Sequence, residues 1–229
     1  MRVLTVVGMV VVLLGLWLSG VEAGSVEDAN TQIRLSDLVL SDALKMPDRG
    51  VPRDLLQRSR GVLIFPGVLK AGLVLGITYG SGVGLRRDEG TGKWSKPAFF
   101  QIKGGSLGVQ AGAQAVDLIL LVMSERGLQG LLEDGYTLGA DVSIAAGPIG
   151  REASAGTDLR FNAGILSYSR TKGLFVGLSL NGAALKPDRD ANEAYHGKGV
   201  TVQDVFYENK GALSDNGRLL LKTIDEATP

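Results

Sequence analysis

Apolar residues recur at helical spacing after Ser25, which predicts a long N-terminal helix. Ser25 and Asp28 have the spacing of a capping box, and the helix is expected to end before Pro47, because proline restricts the preceding residue. A second, short helix is expected between Pro52 and Gly61, since proline suits the first helical turn and glycine the C-terminal stop. The apolar stripe of the first helix consists of Leu35, Leu38, Val39, Ala43 and Met46.

From Val62 onwards the period changes to two, which predicts half-buried β-strands. The first strand is expected to stop at Pro66-Gly67, and a buried strand from Asp117 to Ser124 is followed by a short helix. Glycine accounts for 33 of 229 residues, and glycine within strands is tolerated where a sheet bends sharply. The expected fold class is therefore α+β, mainly β, with a coiled, antiparallel, barrel-like sheet fronted by the N-terminal helices. The alternating segments are 73–79, 107–114, 138–144 and 174–180.

Residues 1–23 are predicted to be a secretory signal peptide. Arg2 gives a positive start, an uncharged apolar run follows, and Val21 and Ala23 are small residues that suit cleavage after Ala23. An uncleaved anchor is the alternative, although the run is short for a membrane span. Because position 21 is Val and not Cys, the protein is not expected to be a lipoprotein. We therefore expect an exported protein in the periplasm or cell envelope.

Residues 24–229 are expected to form one domain, because no Ser/Pro-rich linker interrupts them. The core is predicted at about residues 35–210, and residues 211–229 are predicted to be a loosely packed helix or tail. Lys+Arg and Asp+Glu each number 24, which argues against non-specific nucleic-acid binding. The absence of Cys and the single His exclude thiolate and multi-His metal sites, so no cofactor is predicted.

Two motifs resemble catalytic or metal sites without the context that each requires. The segment 104–108 matches G-x-S-x-G, and His196 lies downstream, so a hydrolase using Ser106 and His196 is a minor alternative. That motif needs a helix after Ser106, whereas the alternation predicts a strand. Residues 188–192 begin like a Ca²⁺ loop but lack its glycine and final glutamate, so a solvated loop is expected there and His196 is expected to be exposed. No enzymatic activity is predicted.

A basic segment spans the predicted helices and the first strand. Between Val39 and Lys70, six cations stand against three carboxylates in a chain without net charge. Basic amphipathic helices can lie on an anionic membrane, with apolar side chains in the interface and cations near phosphates. An ordinary solvated face over a core helix is the alternative. The candidate lipid-binding residues of this segment are Lys45, Arg49, Arg53, Arg58, Arg60 and Lys70.

From about Ala43 to Tyr207 the chain resembles the SYLF domain family, which includes lipid-binding and actin-regulating eukaryotic proteins and exported bacterial ones. The resemblance implies a mainly β domain fronted by helices, with lipid binding in the helical region Leu35 to Arg60 and no catalytic role for Ser106. The blocks that carry it are residues 61–67, 70–72, 94–99, 104–108, 112–114, 138–141, 145–151 and 168–177, with Gln110, Asn181-Gly182 and Tyr195.

The resemblance and the basic segment together predict a non-enzymatic protein that binds anionic phospholipid at a membrane surface. Arg170 and Lys172, beside Tyr168 in a tight strand connection, are a second candidate cationic contact; cations that merely decorate a hairpin are the alternative. Actin binding by some relatives is not carried over, because an exported protein would not meet actin. A structural or protein-interaction role in the cell envelope is the competing hypothesis.

Overall fold

The computed structural model describes residues 25–46, 50–72, 75–107, 112–148, 163–171, 174–177 and 180–229. The side chain of Ser25 accepts a hydrogen bond from the Asp28 N–H (3.0 Å), and the Asp28 carboxylate accepts one from the Ser25 N–H (3.2 Å). This confirms the predicted capping box. The predicted signal peptide lies outside the described residues. The helices of the described chain are α1 (Val26–Leu44), α2 (Arg53–Arg58), α3 (Glu125–Gly130), α4 (Arg189–His196), α5 (Val202–Tyr207) and α6 (Asp215–Ala227).

Nine strands of the described chain form one sheet in the order β5-β9-β3-β2-β1-β4-β7-β6, and β8 pairs with β7. Every pairing is antiparallel except β6 with β7. The predicted α+β class with a curled sheet is confirmed. The strands are β1 (Gly61–Gly72), β2 (Leu75–Arg86), β3 (Ala98–Leu107), β4 (Gly112–Val122), β5 (Tyr136–Thr137), β6 (Ile144–Ala146), β7 (Ile165–Thr171), β8 (Leu174–Gly177) and β9 (Ala183–Pro187).

The central strands are buried on both faces near the start of β1. On the front face, Val62 and Ile64 belong to a core shared with α1, α2, α4 and α6. On the back face, Leu63 and Phe65 belong to a second core shared with α3 and α5. Burial on both faces explains why the sequence of this segment is continuously apolar rather than alternating.

Glycines of β2 allow large side chains to pack closely against the back of the sheet. A Cβ atom at Gly84 would lie 2.6 Å from the Phe100 ring, and one at Gly80 would lie 2.9 Å from Val68. A side chain at either position would displace its neighbour. At these two positions, close approach accounts for glycine within a strand.

The strand β1 continues through Pro66-Gly67, where the sequence predicts a stop. The register of β1 against β4 shifts between Phe65 and Val68, and Gly67 has a φ of 62°, which is typical of a β-bulge. The carboxylate of Asp117 accepts a hydrogen bond from the Gly67 N–H at 3.0 Å. The bulge therefore accommodates one extra residue in β1 without ending the strand.

One predicted strand is wrong: residues 138–143 form turns and an isolated bridge before β6, because glycine next to apolar residues imitates strand alternation there. The predicted strand 107–114 begins in β3 and ends in β4, and its central residues 108–111 lie outside the described residues.

Two segments that were predicted to be loose are ordered helices. The segment 188–192 begins α4, because Asp188 caps that helix by accepting from the Ala191 N–H (3.2 Å). In α6, Leu220 and Ile224 are fully buried, and the Thr223 hydroxyl donates to Asp37 of α1 at 2.6 Å. The C-terminal segment is therefore a helix, one of the two predicted forms, but the prediction that it packs loosely is wrong.

Candidate functional site

The structure places the predicted lipid-binding cations in separate regions of the fold. Lys45 is exposed at the C-terminal end of α1. Arg53 and Arg58 are exposed on α2, and Arg60 is half-exposed immediately before β1. Residues 49 and 172 lie outside the described part of the chain, so the predictions for Arg49 and Lys172 stay predictions.

The cations around α2 have acidic or carbonyl partners. Arg58 forms an ion pair with Asp54 at 3.2 Å, Arg60 forms one with Glu89, and Nη1 of Arg53 lies 3.5 Å from a carbonyl oxygen of α6. Because exposed ion pairs of this kind are weak, these charges remain accessible to an anionic surface. The acidic neighbours nevertheless lower the positive electrostatic potential around α2.

Lys70 lies near the opposite end of β1 from Arg60, so about 30 Å of strand separates the two residues. Its ammonium group is half-buried, burial lowers its pKa, and it forms no ion pair with a described carboxylate. The six cations that are close in sequence therefore do not form one continuous patch.

Arg170 is held inside the protein by two carboxylates. Its Nη1 lies 2.6 Å from Asp42 of α1, and its Nη2 lies 2.6 Å from Asp117 of β4. Burial opposes the charged guanidinium, but hydrogen bonds to these carboxylates outweigh that effect and raise the pKa of Arg170. The guanidinium also lies 5.6 Å from the centre of the Phe175 ring. These contacts give Arg170 a structural role in joining α1, β4 and β7, and its predicted lipid contact stays a prediction.

Ser106 and His196 do not meet. The His196 ring is buried, its Nε2 lies 2.9 Å from the Pro97 carbonyl oxygen, and its centre lies 6.1 Å from that of Phe99. Ser106 lies seven residues beyond Phe99 along β3, which corresponds to about 23 Å. The hydrolase pair is therefore not assembled, and the prediction of a solvated His196 is wrong because α4 buries it against β3.

The described residues contain no cluster of His, Asp or Glu side chains suited to a metal ion. Among the described helices, none combines the length and the apolar character needed to cross a membrane.

Sequence reasoning missed an uncovered apolar surface at the far end of the sheet. Ile77 is 58% exposed, Tyr79 43% and Leu69 42%, and Nζ of Lys103 lies 5.3 Å from the centre of the Tyr79 ring. The bulky face of the alternating segment 73–79 was the available signal, but alternation does not reveal whether a helix covers that face. We call this surface the distal face: Leu69, Ala71, Ile77, Tyr79, Ala113 and Ala115.

Comparison with known proteins identifies the family. Residues 103–227 match the Ysc84 family model, which is described as Las17-binding protein actin regulator. The chain belongs to this family. The match confirms the resemblance to SYLF domains, and the matched segment reaches the end of α6, consistent with the packing of that helix.

Individual relatives match over about two thirds of this chain. The bovine SH3 domain-containing YSC84-like protein 1 is 30% identical over 162 residues, which cover 70% of this chain and 47% of the relative. An SH3 domain-containing protein of Schizosaccharomyces pombe is 38% identical over 157 residues, covering 67% and 36%. LAS seventeen-binding protein 3 of Saccharomyces cerevisiae is 35% identical over 162 residues, covering 69% and 35%. Each match thus spans less than half of the relative's own length.

The family is linked to actin-regulator and lipid-binding roles, and these relatives are named as SH3-domain or Las17-binding proteins rather than as enzymes. The expectation that actin is an unlikely partner is in tension with the family description.

Proposed function

We propose that the protein binds anionic phospholipid at a membrane surface without catalysing a reaction. The observation that carries this proposal is a set of three cations, Lys45, Lys70 and Lys103, none of which forms an ion pair with a described carboxylate. Cations near an anionic bilayer each contribute about 1 kcal/mol, so three can support reversible binding.

Sedimentation with vesicles of phosphatidylserine and phosphatidylcholine tests the proposal. The protein is expected to sediment with the anionic vesicles and not with pure phosphatidylcholine, and binding should weaken as salt rises, because screening shortens the reach of surface charges. Equal, negligible sedimentation with both vesicle types at low salt would refute it.

Two variants with the same change in net charge locate the contact. One replaces Lys45, Lys70 and Lys103 by Glu, and the other replaces Arg53, Arg58 and Arg60 by Glu. Since the second group already has acidic neighbours, the first variant is expected to lose more binding. If the arginine variant loses more binding than the lysine variant, the contact lies at α2, as the sequence predicts. Circular dichroism checks that both variants fold.

The membrane that we propose is one of the cell envelope, on the basis of the apolar N-terminal run and the small residues before Gly24. N-terminal sequencing of the protein from fractionated cells should begin near Gly24. A protein that starts at Met1 and stays in the cytoplasm would contradict export but not phospholipid binding.

Regulation of actin is a second candidate function, favoured by the family description. Sedimentation of the protein with actin filaments, in the absence of lipid, tests it directly. Binding to filaments without binding to anionic vesicles would favour this function over the first.

A further inference from the structure

The distal face is formed by strands from the middle of the sheet, not by its edges. Leu69 of β1 is paired with Tyr79 of β2 and with Ala115 of β4, and Ala71 is paired with Ile77. Directly opposed residues have Cβ atoms about 5 Å apart, so these side chains form one continuous surface. Within this region β1 and β2 are paired on both sides, whereas β4 is paired with β1 and its pairing with β7 begins only at Asp117. The side chains of Leu69, Ile77 and Tyr79 can therefore be reached only from the face of the sheet.

The helical cover of the front face ends at α1. Nε2 of Gln32 donates to the Ser81 carbonyl oxygen of β2 at 2.6 Å, and ten residues later Asp42 binds Arg170 of β7. On the near side of this boundary, front-face residues of β2 such as Val83 are completely buried. On the far side, the same alternation continues but the side chains are exposed.

The amino acids beyond the boundary are those of a covered surface. Ile77 and Tyr79 lie on the same face of β2 as Val83 and Leu85, separated from them by Ser81, and bulky residues on one strand face normally mark a packed interface. Single exposed apolar residues are ordinary, whereas an adjoining set marks a binding surface. No described residue covers Ile77, which has the largest exposed fraction among the large apolar side chains of the described chain.

The charges around the distal face favour an anionic partner. Lys103 is paired with Tyr79 across β2 and β3, and Lys70 lies between Leu69 and Ala71 on the opposite face of β1. The nearest front-face carboxylate along β4, that of Asp117, is neutralised by Arg170. A second copy of this chain would bring lysines against lysines, so we commit to an anionic bilayer as the partner.

We propose that the distal face is the part of the protein that enters the bilayer. The aliphatic side chains of Leu69 and Ile77 contact the acyl boundary, while Tyr79 and Lys103 stay at the headgroups, because aromatic and lysine side chains combine an apolar body with a polar tip. This inference rests on the proposed function, and it adds which surface inserts and which side faces the membrane.

Fluorescent labelling tests insertion directly. Because the chain contains no Cys, a single cysteine introduced as Ile77→Cys carries one environment-sensitive NBD dye. The matched control is Leu219→Cys on α6, where the native residue is 54% exposed. On vesicles of phosphatidylserine and phosphatidylcholine, the dye at position 77 is expected to shift to the blue and brighten, and the dye at position 219 is not. Sedimentation of the same samples measures how much protein is bound.

Each other outcome has a defined meaning. Bound protein with an unchanged dye at position 77 would overturn the insertion while leaving phospholipid binding intact, and no sedimentation would overturn both. A blue-shifted emission of the dye at position 77 in the absence of vesicles would mean that the distal face is already covered. If that shift depends on protein concentration, a second copy of the protein covers the face. If it does not, another part of the same chain covers it. Either result would overturn the proposal.

An unlabelled variant provides an independent measurement. Leu69→Ser combined with Ile77→Ser removes exposed apolar surface while leaving every charge in place, so the fold should be retained. The vesicle partition coefficient is expected to fall by about tenfold or more, because two inserted side chains are lost. The control variant Leu219→Ser should bind as the wild type does. Equal partitioning of the two variants would contradict insertion of this face.

Discussion

Replacement of Arg170 by methionine tests the assignment of this residue to the interior. Methionine keeps much of the aliphatic stem but removes the contacts to Asp42 and Asp117, each 2.6 Å long. After the change, the Asp117 carboxylate retains the hydrogen bond from the Gly67 N–H. The substitution therefore leaves a largely buried carboxylate without its counter-charge.

The solvent exposure of Arg170 and its two carboxylate partners determines how much stability the substitution is expected to cost. Removing one member of a fully buried ion pair costs about 3–5 kcal/mol. Here Arg170 and Asp117 are each 20% exposed and Asp42 is 46% exposed, so solvent screens part of the loss. We expect Arg170→Met to lower the free energy of unfolding by about 2 kcal/mol, and Asp42→Asn to lower it by less than about 1 kcal/mol.

Urea unfolding followed by circular dichroism measures both changes. The control is Arg189→Met, because Arg189 pairs with Asp134 at an exposed position, where loss of the pair should leave the midpoint unchanged. Vesicle binding per folded molecule should be the same for Arg170→Met and the wild type. A stable Arg170→Met variant that no longer binds anionic vesicles would refute the structural role and restore the predicted lipid contact.

Further predictions concern the core. Tyr168→Phe should raise the free energy of unfolding by about 1 kcal/mol in urea, because the buried hydroxyl has no hydrogen-bond partner among the described residues; a loss of stability would indicate a missed partner. Burial raises the pKa of Tyr136 to about 12, so the folded state holds this proton more tightly than the unfolded chain, and stability should fall as pH rises from 10 through 12; Tyr136→Phe should flatten that fall in alkaline unfolding curves. Gly84→Ala should cost about 2 kcal/mol or more because its Cβ would meet Phe100, whereas Gly90→Ala, with no heavy atom closer than 3.6 Å, should be nearly neutral in the same urea assay; equal midpoints would contradict close packing on the back face.

Local signals predicted the helix starts well. The capping box at Ser25 and the cap at Ser124 involve residues three positions apart, so the sequence alone contains the interaction. By contrast, the local sequence at Pro66-Gly67 predicts a strand stop, since the contact that compensates for it comes from Asp117, fifty residues away. A bulge that is stabilised by a carboxylate far away in the sequence has no signature in the residues around it.

The candidate site was only partly predictable. The basic segment predicts Lys70 as a site residue, but a strand separates Lys70 from Arg60, and sequence proximity cannot show that separation. The ion pairs of Arg170 are equally hidden from the sequence, because their two carboxylates come from α1 and β4. The packing of α6 depends likewise on contacts with α1, whose sequence lies far from it.

The distal face shows the limit of periodicity. Alternation at Ile77 and Tyr79 correctly indicated a strand with one bulky face. Whether that face is covered depends on where α1 crosses the sheet, a position marked by the contacts of Gln32 with Ser81 and of Asp42 with Arg170. These are tertiary contacts, so exposure of the face emerges only from the assembled structure.

Vesicle sedimentation of the purified protein tests the central claim most directly. At low salt, we predict sedimentation with phosphatidylserine-containing vesicles, release by added salt, and a larger loss when Lys45, Lys70 and Lys103 are replaced by Glu than when Arg53, Arg58 and Arg60 are. Identical, negligible sedimentation with anionic and neutral vesicles would contradict the account.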